Sequence, residues 1–204
     1  MARHKSARPA TRHASDVRRV MVLEAAAKLI ADEGLLAATM RRIAQEARIS
    51  LGTLTHHFKS VDELMAEALE LASIRFAEAL SRLTTKGNAV ARLHALTSAV
   101  MPDNQQAIRQ WRLWIQFWSR AVYDPRLAQT HDRRYRAWYA TVSKLVQQGI
   151  KEGSLKPDLI PADVAKNLVA VMDGVCFQVV LNADVMTAAK GRRTIKRAIQ
   201  ALKP

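Results

Sequence analysis

The sequence predicts an all-α fold of about nine helices, on three observations. Glycine and proline are scarce, 7 and 6 of 204 residues, while Ala, Leu, Arg, Lys, Gln and Glu are plentiful, a balance that favours long helices over tight turns. Apolar residues recur at helical spacing rather than alternating. The 49% hydrophobic content is ample for a packed core.

The first fifteen residues carry Arg3, Lys5, Arg8 and Arg12 and no acid, and they read as a disordered basic arm. The same composition suits a mitochondrial presequence, and that alternative stays open. Asp16 is the expected N-cap of a first helix with Val20, Leu23, Ala27 and Ile30 on one face, ended by Gly34 in a left-handed conformation. Thr39 caps a short helix bearing Ile43, Ala44 and Ala47. Arg48 and Ile49 make a turn, and Ser50 caps a second short helix to about His57. Ser60 followed by Glu63 is a capping box opening a long helix with Leu64, Ala68, Leu71 and Ala72, which runs toward Arg82. Breaks at 84–88, 101–104, 124–125, 153–161 and 183–187 divide the remainder into five helices.

Two short helices across a tight turn form a helix-turn-helix, whose second helix needs small residues outside and an apolar underside. The segment from Ser50 to Phe58 has that pattern. Leu54 and Phe58, one turn apart, pack beneath, while Leu51, Gly52, Thr53, Thr55 and His56 stay outside. Gly52 has no side chain to hold the helix off the bases. The net charge of +14 attracts nucleic acid or an anionic membrane surface, and its density is greatest in the N-terminal third.

The order Thr39-Met40-Arg41-Arg42-Ile43-Ala44, Ile49-Ser50-Leu51-Gly52-Thr53-Leu54 and His57-Phe58-Lys59-Ser60 with Glu63-Leu64 resembles the TetR family of bacterial regulators over about fifty residues. The resemblance implies a three-helix DNA-binding unit, a helical ligand-binding body, a homodimer joined through the last two helices, and a palindromic double-stranded operator released by a small-molecule effector through a changed angle of the fourth helix. Carried over by position, it places Arg41, Leu51, Gly52 and Thr53 at bases and Thr39, Thr55, His57 and Lys59 near phosphates. Arg42, Ser50 and His56 complete the candidate DNA set, with Arg42 also readable as a solvated helix residue. The implied domains are an arm over 1–15, the helix-turn-helix over 16–62, and the ligand-binding and dimerisation domain over 63–204. Three departures stand out: Thr55 replaces a frequent tyrosine, Val61 a frequent lysine, and Arg48 the usual turn glycine. A left-handed non-glycine residue costs roughly 1–2 kcal/mol. Phosphate contacts are expected to shift to Arg3, Lys5 and Arg8 in the arm, by entry into a minor groove.

In the second half Trp111, Trp114 and Trp118, with Phe117 alongside, occupy one helix face. Two readings are open, a core stripe or one wall of a pocket opposed by Tyr135, Trp138 and Tyr139, whose rings suit a planar ligand or a quaternary ammonium. The segments 111–118, 124–127 and 135–138 resemble the BetI-type C-terminal domain. The positive net charge opposes a cationic ligand unless a carboxylate lies in the pocket, and Asp173 is the acid set within an otherwise apolar helix core. Asp173, Cys176 and Phe177 therefore join the candidate ligand set. Asp173-Gly174 also reads as a local break, or as a close approach to another backbone in the dimer helix, whose partner is a terminal helix around 194–202.

The single cysteine, Cys176, cannot pair within the chain, so a reduced cytoplasm is the expected setting. It reads as a small buried side chain rather than a redox sensor. The longest apolar stretch, 168–181, is interrupted by Asp173, so neither secretion nor membrane spanning is expected. His56 and His57 point about 100° apart on a helix and form no metal site alone. No metal and no cofactor are expected, and with no Gly-rich phosphate loop or nucleophile elbow the chain is not expected to be an enzyme. The rival readings are a nonspecific DNA-binding protein and a basic helical protein at a membrane surface.

Overall fold

The computed structural model describes residues 9–83, 87–181 and 184–204, with side chains described over 16–78 and throughout the two later stretches. Among the described residues there are nine helices and no strand: α1 (Pro9–Glu33), α2 (Met40–Glu46), α3 (Leu51–His57), α4 (Val61–Leu83), α5 (Ala89–Val100), α6 (Gln105–Ala121), α7 (Pro125–Lys151), α8 (Pro161–Leu181) and α9 (Ala188–Gln200). The chain divides into two compact units between Leu71 and Ala72.

In the first unit, Val22, Ala26, Leu29 and Ile30 of α1, Ile43 and Ala44 of α2, Leu54 and Phe58 around α3, and Leu64, Met65 and Leu69 of α4 are buried. Thr39 and Ser50 cap α2 and α3 through their side-chain oxygens, which accept from Arg42 N and Thr53 N. The box opening α4 is shifted by one residue. Ser60 Oγ accepts from Glu63 N at 3.1 Å, but the Glu63 carboxylate reaches Lys59 N at 2.6 Å rather than the amide of Ser60.

Asp16 does not cap α1. The helix is already formed at Pro9, since proline pre-sets the first-turn φ and Ala10, Arg12 and Ala14 favour continuing it. The expected disordered arm over 1–15 therefore gives way to helix from Pro9 onward. Arg3, Lys5 and Arg8 lie outside the described residues.

The turn between α2 and α3 is a Schellman motif: Ile49 N bonds to Ala44 O at 2.9 Å and Arg48 N to Gln45 O at 3.0 Å. The left-handed position is held by Arg48 at φ 54. The end of α7 repeats the motif, with Ser154 N on Gly149 O and Gly153 N on Ile150 O, and there a glycine takes the position at φ 69. Arg48→Gly is thus expected to raise the stability of the first unit by about 1 kcal/mol, since relief of the Cβ clash exceeds the added chain entropy. Thermal melting of both proteins measures this, and an unchanged or lower melting temperature for Arg48→Gly contradicts it.

The second unit packs α5, α7, α8 and α9 around one core that includes Leu93, Leu96, Val142, Val146, Leu168, Val169, Met172 and Ile195. α8 is long and apolar enough to cross a membrane by length and composition, but its apolar face supplies this core. It is also continuous through Asp173 and Gly174, so the expected local break is absent. Asp173 has no capping task, because burial of Met172, Val175 and Cys176 carries the helix past Gly174 and the carboxylate finds a partner on another helix. Gly174 is exposed and a Cβ there meets nothing within 4 Å. Within the chain, α8 and α9 pack closely at Gly191, where an added Cβ would lie 2.7 Å from Val175 Cγ1. The terminal helix starts at Ala188, directly after the break expected at 183–187, with Thr187 as its cap.

Candidate DNA interface and effector cluster

Each unit carries its own candidate site. In the first, Leu54 and Phe58 are buried, and this orients α3 so that Leu51, Gly52, Thr55, His56 and His57 are exposed, with Thr53 half-buried. A Cβ added to Gly52 meets only Ser50 Oγ, at 3.9 Å. The fold has room for a side chain there, and an interior helix glycine costs roughly 0.5–1 kcal/mol relative to alanine.

The candidate polar groups divide by what already holds them. Arg41 and Lys59 are exposed. Arg42 is tied back to the end of α1 and the loop after it, its guanidinium donating to Ala37 O at 3.2 Å and to Glu33 Oε1 at 2.8 Å. Thr39 and Ser50 spend their oxygens on helix caps, and the Ser50 and Thr53 hydroxyls meet at 2.8 Å. The Thr55 hydroxyl has one proton, aimed back at Leu51 O and Gly52 O at 3.1 and 3.2 Å. The rings of His56 and His57 meet edge-on at 5.1 Å.

Sequence reasoning missed Arg18 and Arg19 of α1. Arg19 lies 4.6 Å over the Phe58 ring and pairs with Glu67. Arg18, Arg19, Thr53 and His57 border a groove floored by Val22, Ile49, Leu54 and Phe58. The paired arginines after Asp16 were a usable signal, obscured by placing the helix start beside them.

In the second unit the aromatic residues of α6 and α7 form a connected cluster. Trp111 Nε1 donates to Val100 O at 2.7 Å, and Trp118 contacts Trp111, Trp114 and Tyr135 at centroid distances of 5.9, 6.2 and 6.4 Å. Tyr135 touches Tyr139 at 5.6 Å and stacks on His131 at 4.2 Å. The Tyr135 hydroxyl donates to Asp173 Oδ2 at 2.7 Å, tying α7 to α8. Phe117 is fully buried beside Trp114, and Trp138 packs on Phe76 of α4 at 5.7 Å. The indole Nε1 of Trp118 is buried and meets no acceptor among the described residues.

Burial pushes the Asp173 carboxyl up to about 6, against the lowering effect of the Tyr135 hydrogen bond. Burial, with Asp173 adding to it, raises the Tyr135 phenol above its ordinary range. The Cys176 thiol is pushed up to about 12 by burial and then by Asp173, and points toward Val100 O at 3.7 Å. It is a buried, protonated side chain. Burial also lowers His131, opposed by Asp132.

Trp111, Trp114, Phe117, Trp118, Tyr135 and Asp173 are brought together. Phe177 is not, since it lies on the exposed side of α8. His131 and Arg134 were missed by sequence reasoning. Arg134 sits over the Trp114 ring at 5.8 Å and donates to Ser73 Oγ of α4.

Comparison with known proteins places both units. The profile described as bacterial regulatory proteins of the tetR family matches residues 22–68, and that described as the C-terminal part of a BetI-type transcriptional repressor matches 89–204. The chain is 28% identical over 171 residues to the HTH-type transcriptional regulator BetI of Paraburkholderia phymatum, covering 83% of this chain and 84% of that one. It is 23% identical over 187 residues to PksA of Bacillus subtilis, covering 91% and 89%. A transcriptional regulator from Saccharomonospora viridis, solved in complex with choline, superposes with a TM-score of 0.84 at 27% identity over 91% of this chain and 96% of that chain. A TetR regulator from Haloarcula marismortui shares the fold with a TM-score of 0.83 at 19% identity, covering 93% and 100%. The nine-helix chain, with its helix-turn-helix and its BetI-type second unit, belongs to the TetR family and is a ligand-responsive, DNA-binding transcriptional regulator.

Proposed function

We propose that the protein acts in the cytoplasm as a repressor: a homodimer joined through α8 and α9 that holds a palindromic operator and is released by a small organic cation of the choline type. The observation that carries the DNA half is Gly52, exposed on α3 at a place where the fold itself has room for a Cβ. The constraint on it comes from outside the chain, as close approach of the helix to base edges requires. Two such helices one DNA turn apart, about 34–36 Å, match an operator with two half-sites. Arg41 supplies the base-reading guanidinium. Thr39, Ser50, Thr53 and Arg42 orient the motif. In the dimer, the exposed and sterically open Gly174 faces the partner's α8.

The effector half rests on Asp173. A carboxylate held among Trp118, Tyr135 and their neighbours offers a counter-ion and aromatic faces together, the combination a desolvated cation needs. The Trp118 N–H suits an oxygen acceptor on the same ligand. The choline-bound relative supports this class. Ligand binding lowers operator affinity only by the difference in its affinity for the two states, about 1.4 kcal/mol for each tenfold.

Fluorescence anisotropy on the DNA upstream of the protein's own gene, against a scrambled duplex, tests the operator reading. Gly52→Ala is expected to melt about 0.5–1 kcal/mol later yet bind the operator more weakly. Arg41→Ala is expected to lose about 1–3 kcal/mol of discrimination between the two duplexes. Full operator affinity in both variants would overturn the placement of α3 against bases.

A further inference from the structure

The groove between α1 and α3 has two adjacent arginines in different states. Arg19 is committed: its guanidinium covers the Phe58 ring and pairs with Glu67. Arg18 is exposed, borders the groove, and is held by no hydrogen bond or ion pair among the described residues. Opposite it, Thr53 and His57 line the same groove one turn apart on α3, the Thr53 hydroxyl engaged with Ser50 and the exposed His57 carrying a polar imidazole. The walls of a DNA major groove are phosphate backbones about 12 Å apart, so groups on the flank of a helix lying in it face phosphates rather than bases. Nearby on the same unit, Thr55 turns its only proton back on Leu51 and Gly52 and Val61 carries no charge, so neither competes with Arg18 for an anion.

We propose that this groove seats one DNA backbone phosphate, with Arg18 supplying the charge and His57 a second donor. The site rests on the DNA-binding reading of α3. It adds affinity without sequence preference. Arg19, one residue on, is a structural element of the unit.

The test compares full-length wild type, Arg18→Ala, Arg18→Lys and Arg19→Ala by anisotropy across a salt series, on operator and on scrambled duplex, with thermal melting of each. One phosphate contact contributes about 0.9 to the slope of log affinity against log salt. Arg18→Ala is expected to lower the slope by that amount on both duplexes, reduce affinity about fivefold on each at moderate salt, and melt with wild type. Arg18→Lys is expected to restore the slope. Arg19→Ala is expected to melt earlier and to keep the wild-type slope at temperatures where it is folded. An unchanged slope in Arg18→Ala, or a loss confined to the operator, overturns the phosphate seat alone. Failure of wild type to bind either duplex overturns the DNA-binding reading and the seat with it.

Discussion

Asp173→Asn is expected to raise the melting temperature at neutral pH while lowering choline affinity on the order of a hundredfold, by removing the counter-ion of a buried charge pair. The two effects have one cause. Burial raises the Asp173 carboxyl from 3.8 to about 6, so the folded chain holds this proton more tightly than the unfolded chain. The stability linked to it is fully present below the unfolded value and is lost as pH rises between about 4 and 6. At neutral pH the ionised group thus costs the apo protein on the order of 1–3 kcal/mol. Asparagine keeps an oxygen to accept from Tyr135 and removes that cost.

On the proposed choline-type reading, ligand binding is expected to depend on pH in the opposite sense. A cation needs the carboxylate, so affinity is expected to be full above about pH 7 and to fall toward tenfold per unit once pH drops below the Asp173 value of about 6. Isothermal calorimetry across this range, in wild type and Asp173→Asn, checks both signs. Choline affinity equal in the two proteins would remove Asp173 from the site. A variant that melts no later than wild type would mean that the carboxylate is better compensated than its burial implies.

Local chemistry made the first unit readable and distance made the second unit hard. Thr39, Ser50 and Gly34 act through neighbours three or four residues away, and the sequence states those neighbours directly. Arg48 was visible as a left-handed residue for the same reason. Asp173 was visible as an acid in an apolar run, but its partner Tyr135 lies 38 residues away, and no periodicity links them. Phe177 shows the opposite failure. Its apolar character does not reveal its face, and once Val164, Leu168, Met172, Val175, Cys176 and Val179 turn inward, Phe177 is left outside. Asp16 had the right chemistry for a cap, but the helix had already begun at Pro9.

Arg134→Gln and Ser73→Ala are each expected to uncouple the effector from the operator. Arg134 lies over Trp114 of the aromatic cluster and donates to Ser73 of α4, while Trp138 packs on Phe76 of the same helix. α4 continues from these contacts back to Leu64, Met65 and Leu69, buried in the first unit. A cationic ligand entering the cluster competes with the Arg134 guanidinium for the Trp114 face. Like charges in one desolvated site repel, so on the proposed cation reading the ligand is expected to favour a state in which Arg134 has left Trp114 and Ser73 of α4. Removing the charge by Arg134→Gln, or the hydrogen bond to α4 by Ser73→Ala, is expected to reduce the ligand's preference between the two states. Choline is then expected to bind no more weakly than in wild type, and more tightly in Arg134→Gln where the repelling charge is gone, with operator affinity near wild type, while the reduction of one by the other falls from tenfold or more, about 1.4 kcal/mol, toward none. Coupling is reciprocal, so the loss must be equal whether choline is titrated against operator-bound protein or operator against choline-bound protein. Wild-type coupling in both variants would remove this contact from the path, and a loss of choline affinity in isolation would make Arg134 part of the binding site instead.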